Sequence, residues 1–322
     1  MTNTKFPTIY DVIIIGSGIS GLTAANNAQK NGLNCLVLDK GRRIGGRCST
    51  KRAGGAIFNH GAQFFTAKDP EFAALAQQAL SSGAVSLWEF GHHAPSYQGA
   101  PSMRDFPAFL ASKTGAQEAL DVRQEVTITS ISRQDGIYHL YDSDLMRYDA
   151  KKLIITAPAP QAAKLVAPLD PKLCETATSA MYDPCWTVML ALDAPLEKTH
   201  NPIRDKGVIG WANYEPMRDA ASYQPALTIQ ASPEASKEML EWQQDEVIET
   251  LVKAYEAASC SRLSYHYATS HRWLYARVLQ SANPDLPFVS DDKCLALAGD
   301  YFGNARLESA FLSGRRAAQA LL

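Results

Sequence analysis

The sequence predicts an α/β fold in which a parallel sheet flanked by helices carries an inserted second domain. An apolar, β-branched run at residues 10–15 is followed by a glycine-rich turn at 16–21, a helix-compatible segment and a second apolar run at 34–39. This order is the βαβ pattern of a parallel sheet. A late apolar run, residues 295–298, is expected to join the same sheet, which is therefore built from separated parts of the chain.

The inserted second domain is predicted to be α+β, with a mixed or antiparallel sheet plus helices. Residues 185–192 and 225–231 have the composition of strands, and apolar positions with helical spacing predict one long helix over 233–258. The predicted boundaries are residues 1–68 plus 102–165 plus 286–322 for the first domain and 69–101 plus 166–285 for the second.

The remaining patterns predict shorter elements. We expect helices at 69–81, 107–119 and 308–322, hairpin strands at 126–131 and 136–141, a buried strand at 152–156, and loops at 40–55 and 91–107.

Composition narrows the possible partners. The chain has 31 basic and 33 acidic residues and no long basic run, which argues against nucleic acid. The apolar run near the start is too short for a signal or membrane segment, so a cytoplasmic protein without membrane contact is expected. The six cysteines form no CxxC pair, which predicts a reducing compartment and no metal site. Nothing in the sequence predicts an oligomeric state.

The glycine-rich turn has the context of a dinucleotide-binding fingerprint. Gly16 permits the tight turn, Gly18 allows the backbone to approach a pyrophosphate, and Gly21 allows close packing of helix and strand. The helix N-terminus offers free N–H groups to phosphate, and an acidic side chain ending the next strand can accept hydrogen bonds from a ribose. This Rossmann-type site is predicted to use Gly16, Gly18, Ile19, Ser20, Gly21, Asp39 and Lys40.

Residues 40–47 resemble the RxGGR element of amine-oxidase-like flavoproteins, and this resemblance implies FAD. In that superfamily the glycines and the arginine wrap the FAD pyrophosphate. Gly45 and Gly46 would permit close approach, and Arg47 can offer a fork of donors to phosphate.

Two further segments match the same superfamily. Residues 295–300 form an apolar strand ending in Gly299 and Asp300, which would contact the pyrophosphate and the ribityl chain. A helix beginning near Arg306 and Leu307 would direct its N-terminus at the pyrimidine edge of the flavin. The backbone of Ile128 either hydrogen-bonds adenine or belongs to an ordinary strand.

The resemblance narrows to the renalase family, particularly its bacterial members. Four stretches carry it: residues 44–47 (IGGR), 60–66 (HGAQFFT), 271–277 (HRWLYAR), and 299–300 (GD) followed by 306–314 (RLESAFLSG). The chain departs from the family at Ser309, where glycine is usual at a close helix approach.

This resemblance implies an oxidase with non-covalent FAD. Its members move a hydride from dihydronicotinamide dinucleotides reduced at the wrong ring position to FAD, and dioxygen then reoxidises the flavin and yields hydrogen peroxide. Aromatic faces can clamp the flat ring. The candidate substrate residues are Gln63, Phe64, His271, Arg272, Trp273 and Tyr275, and Gly61, Ala62 and Gln63 are also expected beside the flavin.

Several roles stay open at this point. His271 or Arg272 could meet a phosphate or fix a loop, and His271 could be purely structural. Either Trp273 or Tyr275 could be a core residue. Two other functions are also compatible with the predicted FAD-binding fold: a flavin amine oxidase or desaturase, and a non-catalytic flavin-binding redox sensor. The chain has no nucleophile elbow and no motif placing an amine-oxidase lysine beside the flavin.

Overall fold

The computed structural model describes residues 8–88, 95–112, 119–196, 202–215 and 224–322. Its helices are α1 Ile19–Lys30, α2 Pro70–Ser81, α3 Asp105–Ala111, α4 Ala159–Val166, α5 Pro171–Thr178, α6 Pro233–Glu238, α7 Gln244–Ser259 and α8 Leu307–Leu321. Its strands are β1 Ile9–Ile15, β2 Cys35–Leu38, β3 Thr50–Ala53, β4 Ala56–Asn59, β5 Phe65–Thr66, β6 Val85–Leu87, β7 Ser96–Gly99, β8 Val122–Arg123, β9 Ile128–Gln134, β10 Ile137–Asp142, β11 Arg147–Ile155, β12 Met181–Leu192, β13 Ile203–Lys206, β14 Ile209–Glu215, β15 Ala226–Ala231, β16 Tyr265–Gln280 and β17 Leu295–Leu297. No helix in these ranges combines the length and apolarity that a membrane span needs.

The first sheet has parallel strands at its centre, as predicted. Its order is β8-β2-β1-β11-β10-β9, with β17 also paired to β11. Strand β1 lies parallel to β2 and β11, and β17 lies parallel to β11. The carboxyl ends of these strands therefore meet at one edge, where open α/β sheets bind their ligands.

Helices α1 and α8 pack together against this sheet. The buried side chains of Ile14, Leu22 and Ala317 belong to the same apolar cluster. The two helices approach closely at Gly314, where an added Cβ would lie only 2.1 Å from the Ser20 carbonyl oxygen. The absence of a side chain at Gly314 thus sets the distance between α8 and the first turn of α1.

The second sheet is antiparallel, with the order β13-β14-β15-β12-β16. Alternation along β12 gives it two different faces. Val188 and Leu190 pack in one cluster with Val247 and Leu251 of α7. Met189, on the opposite face, belongs to a separate cluster with Ala56 and Phe58 of β4. The helices therefore cover one face and the β3–β4 hairpin covers part of the other.

The helix predicted over 233–258 is wrong, because two helices occupy it. Gln243 caps the start of α7 in a reciprocal arrangement with Glu246, so the chain leaves helical geometry between α6 and α7. The indole N–H of Trp186 donates to the Met239 carbonyl at 2.8 Å and holds this break against β12. Apolar spacing continues across the break, which is why periodicity alone missed it.

Two predicted loops contain regular structure. The segment 40–55 includes β3, whose polar residues Lys51 and Arg52 hide the strand pattern. The segment 91–107 includes β7 and the start of α3, while its residues 91–94 lie outside the described ranges. The predicted helix over 107–119 corresponds to α3, and residues 113–118 of that prediction also lie outside.

The packing of α2 does not support the assignment of residues 69–101 to the second domain. Phe72 of α2 contacts Phe311 of α8, with ring centroids 5.1 Å apart. The Glu308 carboxylate of α8 accepts hydrogen bonds from the backbone N–H groups of Lys68 and Asp69, both at 2.6 Å. Helix α2 therefore shares the core of the first sheet, and the predicted domain boundaries stay predictions.

Replacing Gly314 by alanine tests the close approach of α1 and α8. An exposed helical glycine gains about 1 kcal/mol of stability on this change. Here we expect a loss of roughly 1–3 kcal/mol, because the new Cβ overlaps the Ser20 carbonyl. Urea unfolding measures the difference. Gln319→Ala, at an exposed position of the same helix, is the control, and equal stability of the two variants would contradict this packing.

Candidate active site

A cavity of about 1870 Å³ opens at the carboxyl ends of the parallel strands and extends to the second sheet. Pockets for one small ligand measure roughly 300–1,000 Å³. The cavity is therefore large enough for a dinucleotide and a second ligand. Its lining includes both the glycine-rich turn after β1 and the middle of β16.

The turn after β1 has the backbone geometry that phosphate binding requires. Gly16 has φ +109°, and a Cβ there would lie 2.5 Å from Thr156 Oγ1. A Cβ on Gly21 would lie 1.9 Å from the Gly16 carbonyl oxygen, whereas the space beside Gly18 is open. Ile19 and Ser20 line the cavity in the first turn of α1, which has no side-chain cap. The Ser20 hydroxyl is buried without a hydrogen-bond partner.

Asp39 and Lys40 line the cavity at the end of β2. One Asp39 oxygen accepts from the Ser17 N–H at 2.5 Å and the Ser17 hydroxyl at 2.7 Å, and the other accepts from the Gly41 N–H at 2.6 Å. Lys40 Nζ donates to Gln161 Oε1 at 3.0 Å. Asp39 thus fixes the turn itself, and its hydrogen bond to a ribose stays a prediction.

The Gly45–Gly46 pair lies directly against the first glycine turn. Both residues have positive φ, +118° and +53°. The Gly45 N–H donates to the Ser17 carbonyl at 3.0 Å, and a Cβ on Gly46 would lie 3.4 Å from the Gly18 Cα. The two turns together form one wall of the cavity.

Arg47 is held by Asp300 across the cavity wall. Its guanidinium makes a two-pronged ion pair with the Asp300 carboxylate, at 2.8 and 2.6 Å, and lies 5.8 Å from the centre of the Tyr182 ring. The sequence predicted both residues at the cofactor but not their contact with each other. The pair joins the loop after β2 to the turn after β17, and direct phosphate contact by Arg47 stays a prediction.

The N-terminus of α8 faces the same cavity, as do Gly299, Arg306 and Leu307. Arg306 precedes α8 without making a capping hydrogen bond. A side chain at Gly299 would collide with the Tyr301 ring, since a Cβ would lie 2.4 Å from its Cε1. Ile128, at the start of β9, lies at the opposite end of the cavity near Asp39, whose carbonyl accepts from the Val126 N–H at 2.9 Å.

The segment Gly61-Ala62-Gln63 continues the wall next to Arg47. The Ala62 N–H donates to the Arg47 carbonyl at 2.9 Å, and a Cβ on Gly61 would lie 2.0 Å from that oxygen. The Gln63 amide nitrogen donates to the carbonyls of Asn59 and Gly61. Gln63 Oε1 is buried without a partner, so an acceptor remains for a ligand N–H.

Strand β16 brings three of the predicted substrate residues, His271, Trp273 and Tyr275, to the cavity. His271 and Trp273 share one face by alternation, and Tyr275 lies where the pairing with β12 is irregular. The His271 and Trp273 rings meet edge to face at 4.4 Å, and Tyr275 contacts Tyr182 with centroids 5.8 Å apart. Trp273 is only half-buried, which is unlike a core residue.

Arg272 belongs to the lining of the cavity, but its guanidinium is directed to the other face of β16. There it donates to the Leu240 carbonyl and lies 5.7 Å from the Trp186 ring. It therefore secures the connection between α6 and α7, which is the loop-fixing role considered above.

His60 is a site residue that sequence reasoning missed. Its ring stacks on Trp273 with centroids 5.3 Å apart, and its carbonyl accepts from the Trp273 indole N–H at 2.8 Å. Burial, and then the nearby His271, lower the pKa of His60 to about 3, and burial followed by the charge of Lys51 lowers the pKa of His271. Both imidazoles are therefore neutral at pH 7. The only feature of the sequence that could have indicated His60 as a site residue is its position at the start of the HGAQFFT stretch.

Phe64 belongs to an aromatic cluster with two tryptophans that the sequence did not connect. It stacks on Trp88 at 4.2 Å with an interplanar angle of 10°, and Trp211 lies 5.5 Å away. Phe64 and Trp211 line the cavity. The three residues come from distant parts of the chain, so no local pattern joins them.

These features fit FAD. The paired glycine turns leave room for a pyrophosphate, the starts of α1 and α8 are uncapped, and the Ser20 hydroxyl lacks a partner where a phosphate would lie. In the described residues no group of three or more His, Cys, Asp or Glu could hold a metal ion.

Comparisons with curated proteins match short segments of much longer chains. An inactive all-trans-retinol 13,14-reductase of Danio rerio is 35% identical over 92 residues, 28% of this chain and 15% of that protein. Protoporphyrinogen oxidase 2 of Arabidopsis thaliana is 36% identical over 64 residues, 20% of this chain and 13% of that protein. The matches thus span far less than two thirds of these relatives.

Solved structures share the whole fold. A putrescine oxidase double mutant superposes with a TM-score of 0.71 at 13% identity and covers 98% of this chain and 99% of its own. At that identity the likeness shows the fold alone.

Family models account for nearly the entire sequence. Residues 14–79 match an NAD(P)-binding Rossmann-like domain. Residues 85–322, well over half of the chain, match the flavin-containing amine oxidoreductases. The protein belongs to this family of flavin-containing oxidoreductases, and its cofactor is FAD.

Proposed function

We propose that the protein is an FAD-dependent oxidase of dihydronicotinamide dinucleotides reduced at the wrong ring position. It would move a hydride from these NAD(P)H isomers to the flavin, regenerate NAD(P)+ and form hydrogen peroxide from dioxygen. The supporting observation is an aromatic wall formed by Trp273 and His271 of β16 together with His60, which follows β4. These residues line a cavity that also holds the cofactor turns.

The charge of the cavity supports an anionic substrate. The whole chain has a formal net charge of −2, yet basic residues along the cavity are twice as numerous as acidic ones even without Arg272, whose guanidinium binds the Leu240 carbonyl. A lining of one sign raises the local concentration of the opposite charge. A dinucleotide carries that opposite charge, whereas an ammonium substrate does not.

The side chains around Trp273 support the assignment of a substrate with a flat ring and a carboxamide. Trp273 offers an aromatic face, which His60 supports from behind by stacking at 5.3 Å. Gln63 Oε1 is a buried acceptor without a partner, suited to the N–H of a carboxamide. An aromatic face and one fixed acceptor would orient the ring.

In the proposed reaction the side chains have to position the substrate, and no side chain has to act as an acid or a base. When bound, FAD supplies hydride acceptance and passes the electrons to dioxygen. The substrate ring becomes aromatic as the hydride leaves, so no proton has to be removed from it. The neutral state of His60 and His271 agrees with this, since neither adds a charge beside the ring. The Arg47–Asp300 pair holds the turn after β17 against the loop after β2.

Amine oxidation is the second candidate, and the family match favours it directly. The same aromatic wall could hold an alkyl amine. The basic lining of the cavity argues against a cationic substrate, and the sequence lacks a recognised amine-oxidase lysine motif.

The decisive functional test is anaerobic reduction of the flavin. We expect the yellow protein to bleach on addition of a dihydronicotinamide-isomer mixture and to recover with peroxide release on admission of air, as measured by absorbance. Putrescine and other primary amines are tested in parallel. Bleaching by amines alone would establish the second candidate, and a flavin reduced by no donor would favour the redox sensor.

Removing the Trp273 ring should slow flavin reduction by the substrate. Trp273→Ala deletes the face against which the nicotinamide ring would lie, while the FAD turns are untouched. We expect at least a tenfold lower rate in anaerobic stopped-flow mixing, with FAD content unchanged. Trp242→Ala removes an exposed indole and is the control. Loss of FAD or of folding in Trp273→Ala would instead identify a core residue.

Removing the Arg47 guanidinium should weaken FAD binding. Arg47→Ala deletes the partner of Asp300 and leaves that carboxylate unpaired at the cofactor turns. The cost of a charged hydrogen bond, roughly 1.5–3 kcal/mol, corresponds to about a ten- to hundredfold higher Kd for FAD. Fluorescence titration of apoprotein measures it. Arg262→Ala, at an exposed position outside the cavity lining, is the matched control, and equal affinity of both variants would show that Arg47 contributes nothing.

A further inference from the structure

Lys51 is a half-buried cation in the lining of the cavity. It lies on β3, and its Nζ is 3.4 Å from Thr269 Oγ1 on β16. Among the described residues, no Asp or Glu forms an ion pair with it. The neighbouring Arg52 also lines the cavity. An ammonium group that lines a cavity and has no carboxylate partner among the described residues is available to pair with an anionic ligand.

The position of Lys51 is defined by the alternation along β16. Thr269, His271 and Trp273 alternate along the regular part of β16 and point to the same face, with successive members about 7 Å apart, and Tyr275 follows in the bulge. The Tyr275 end lies near Arg47, since Tyr275 contacts Tyr182 and Tyr182 faces Arg47. Lys51 is at the Thr269 end. The face therefore runs from the cofactor turns, past the aromatic wall, to a cation.

Lys51 also lies close to both histidines of this wall. Its positive charge contributes to the lowered pKa of His60 and of His271, although burial is the larger cause for each. The ammonium, the two imidazoles and the Trp273 ring are thus parts of one continuous surface.

We propose that Lys51 is a substrate-binding residue that pairs with the 5′-phosphate of the nicotinamide nucleotide, while the ring lies at Trp273. The inference rests on the proposed function and deepens it, because it makes the phosphate a determinant of specificity. A cation at this position attracts a phosphate and repels an ammonium. The Lys51 ammonium would favour binding of nucleotides over ribosides that lack the phosphate. It would also disfavour binding of amines beside Trp273.

The direct test compares two oxidised products that differ only by the phosphate. Nicotinamide mononucleotide and nicotinamide riboside are titrated into the FAD-loaded protein by calorimetry. In the unchanged protein we expect the mononucleotide to bind about ten- to a hundredfold more tightly than the riboside, the range expected for a charge-assisted contact. Lys51→Gln should bring this ratio close to one, whereas Lys51→Arg should retain most of it.

Lys253→Gln is the matched control, because Lys253 is an exposed lysine on α7 that pairs with Glu249. The ratio should stay at its full value in this variant. A ratio that survives in Lys51→Gln as it does in Lys253→Gln would overturn the assignment of the phosphate to Lys51.

Anaerobic flavin reduction by the dihydro isomers of the same two compounds tests the role of Lys51 separately from the proposed function. Reduction by both, with the mononucleotide preference lost in Lys51→Gln, supports the inference. Reduction by both, with the preference intact in that variant, contradicts only the role of Lys51. The dihydro isomer of the whole dinucleotide is added in parallel. Reduction by the dinucleotide alone contradicts the assignment of Lys51 to the 5′-phosphate, because the mononucleotide carries that phosphate. Reduction by none of the three compounds contradicts the proposed function, and the inference falls with it.

Discussion

The site depends on the contact of three backbone segments that come together only because they lack side chains. The turn after β1, the Gly45–Gly46 pair and Gly61 pack one on another, and a Cβ on Gly61 would lie 2.0 Å from the Arg47 carbonyl oxygen. Hydrogen bonds from the Gly45 and Ala62 N–H groups fix the same contacts. The Arg47–Asp300 ion pair then ties this assembly to the turn after β17. The cofactor turns and the substrate wall therefore share one rigid boundary.

The two sheets supply different parts of the chemistry. The parallel sheet provides helix N-termini and turns, which suit phosphate groups. The antiparallel sheet provides an aromatic face on β16, supported from behind by His60. Burial lowers the pKa of His60 and of His271, so these imidazoles add no positive charge beside Trp273, whereas Lys51 and Arg52 carry charge at another part of the same lining. This separation of charge and aromatic surface is what a nicotinamide nucleotide requires.

The sequence predicted the cofactor half of the site far better than the substrate half. Residues 16–21 and 45–47 act through backbone geometry that only glycine allows. Their function is therefore visible as a short glycine pattern in the sequence, without knowledge of the fold. By contrast, the Arg47–Asp300 contact joins residues far apart in the chain, and the stacking of Phe64 on Trp88 also depends on the tertiary fold. The sequence left two roles open for Arg272, because alternation along β16 could not be assigned to faces before the strand had a partner. The break between α6 and α7 was missed because apolar spacing continues across it.

The central claim is direct transfer of hydride from a dihydronicotinamide ring to the flavin. It is tested most directly by the rate of anaerobic flavin bleaching with a substrate isomer carrying deuterium at the reduced ring carbon. The account predicts bleaching that is several-fold slower with deuterium than with hydrogen at that carbon. Absence of bleaching by either compound, or deuterium loss to solvent before the flavin is reduced, would contradict it.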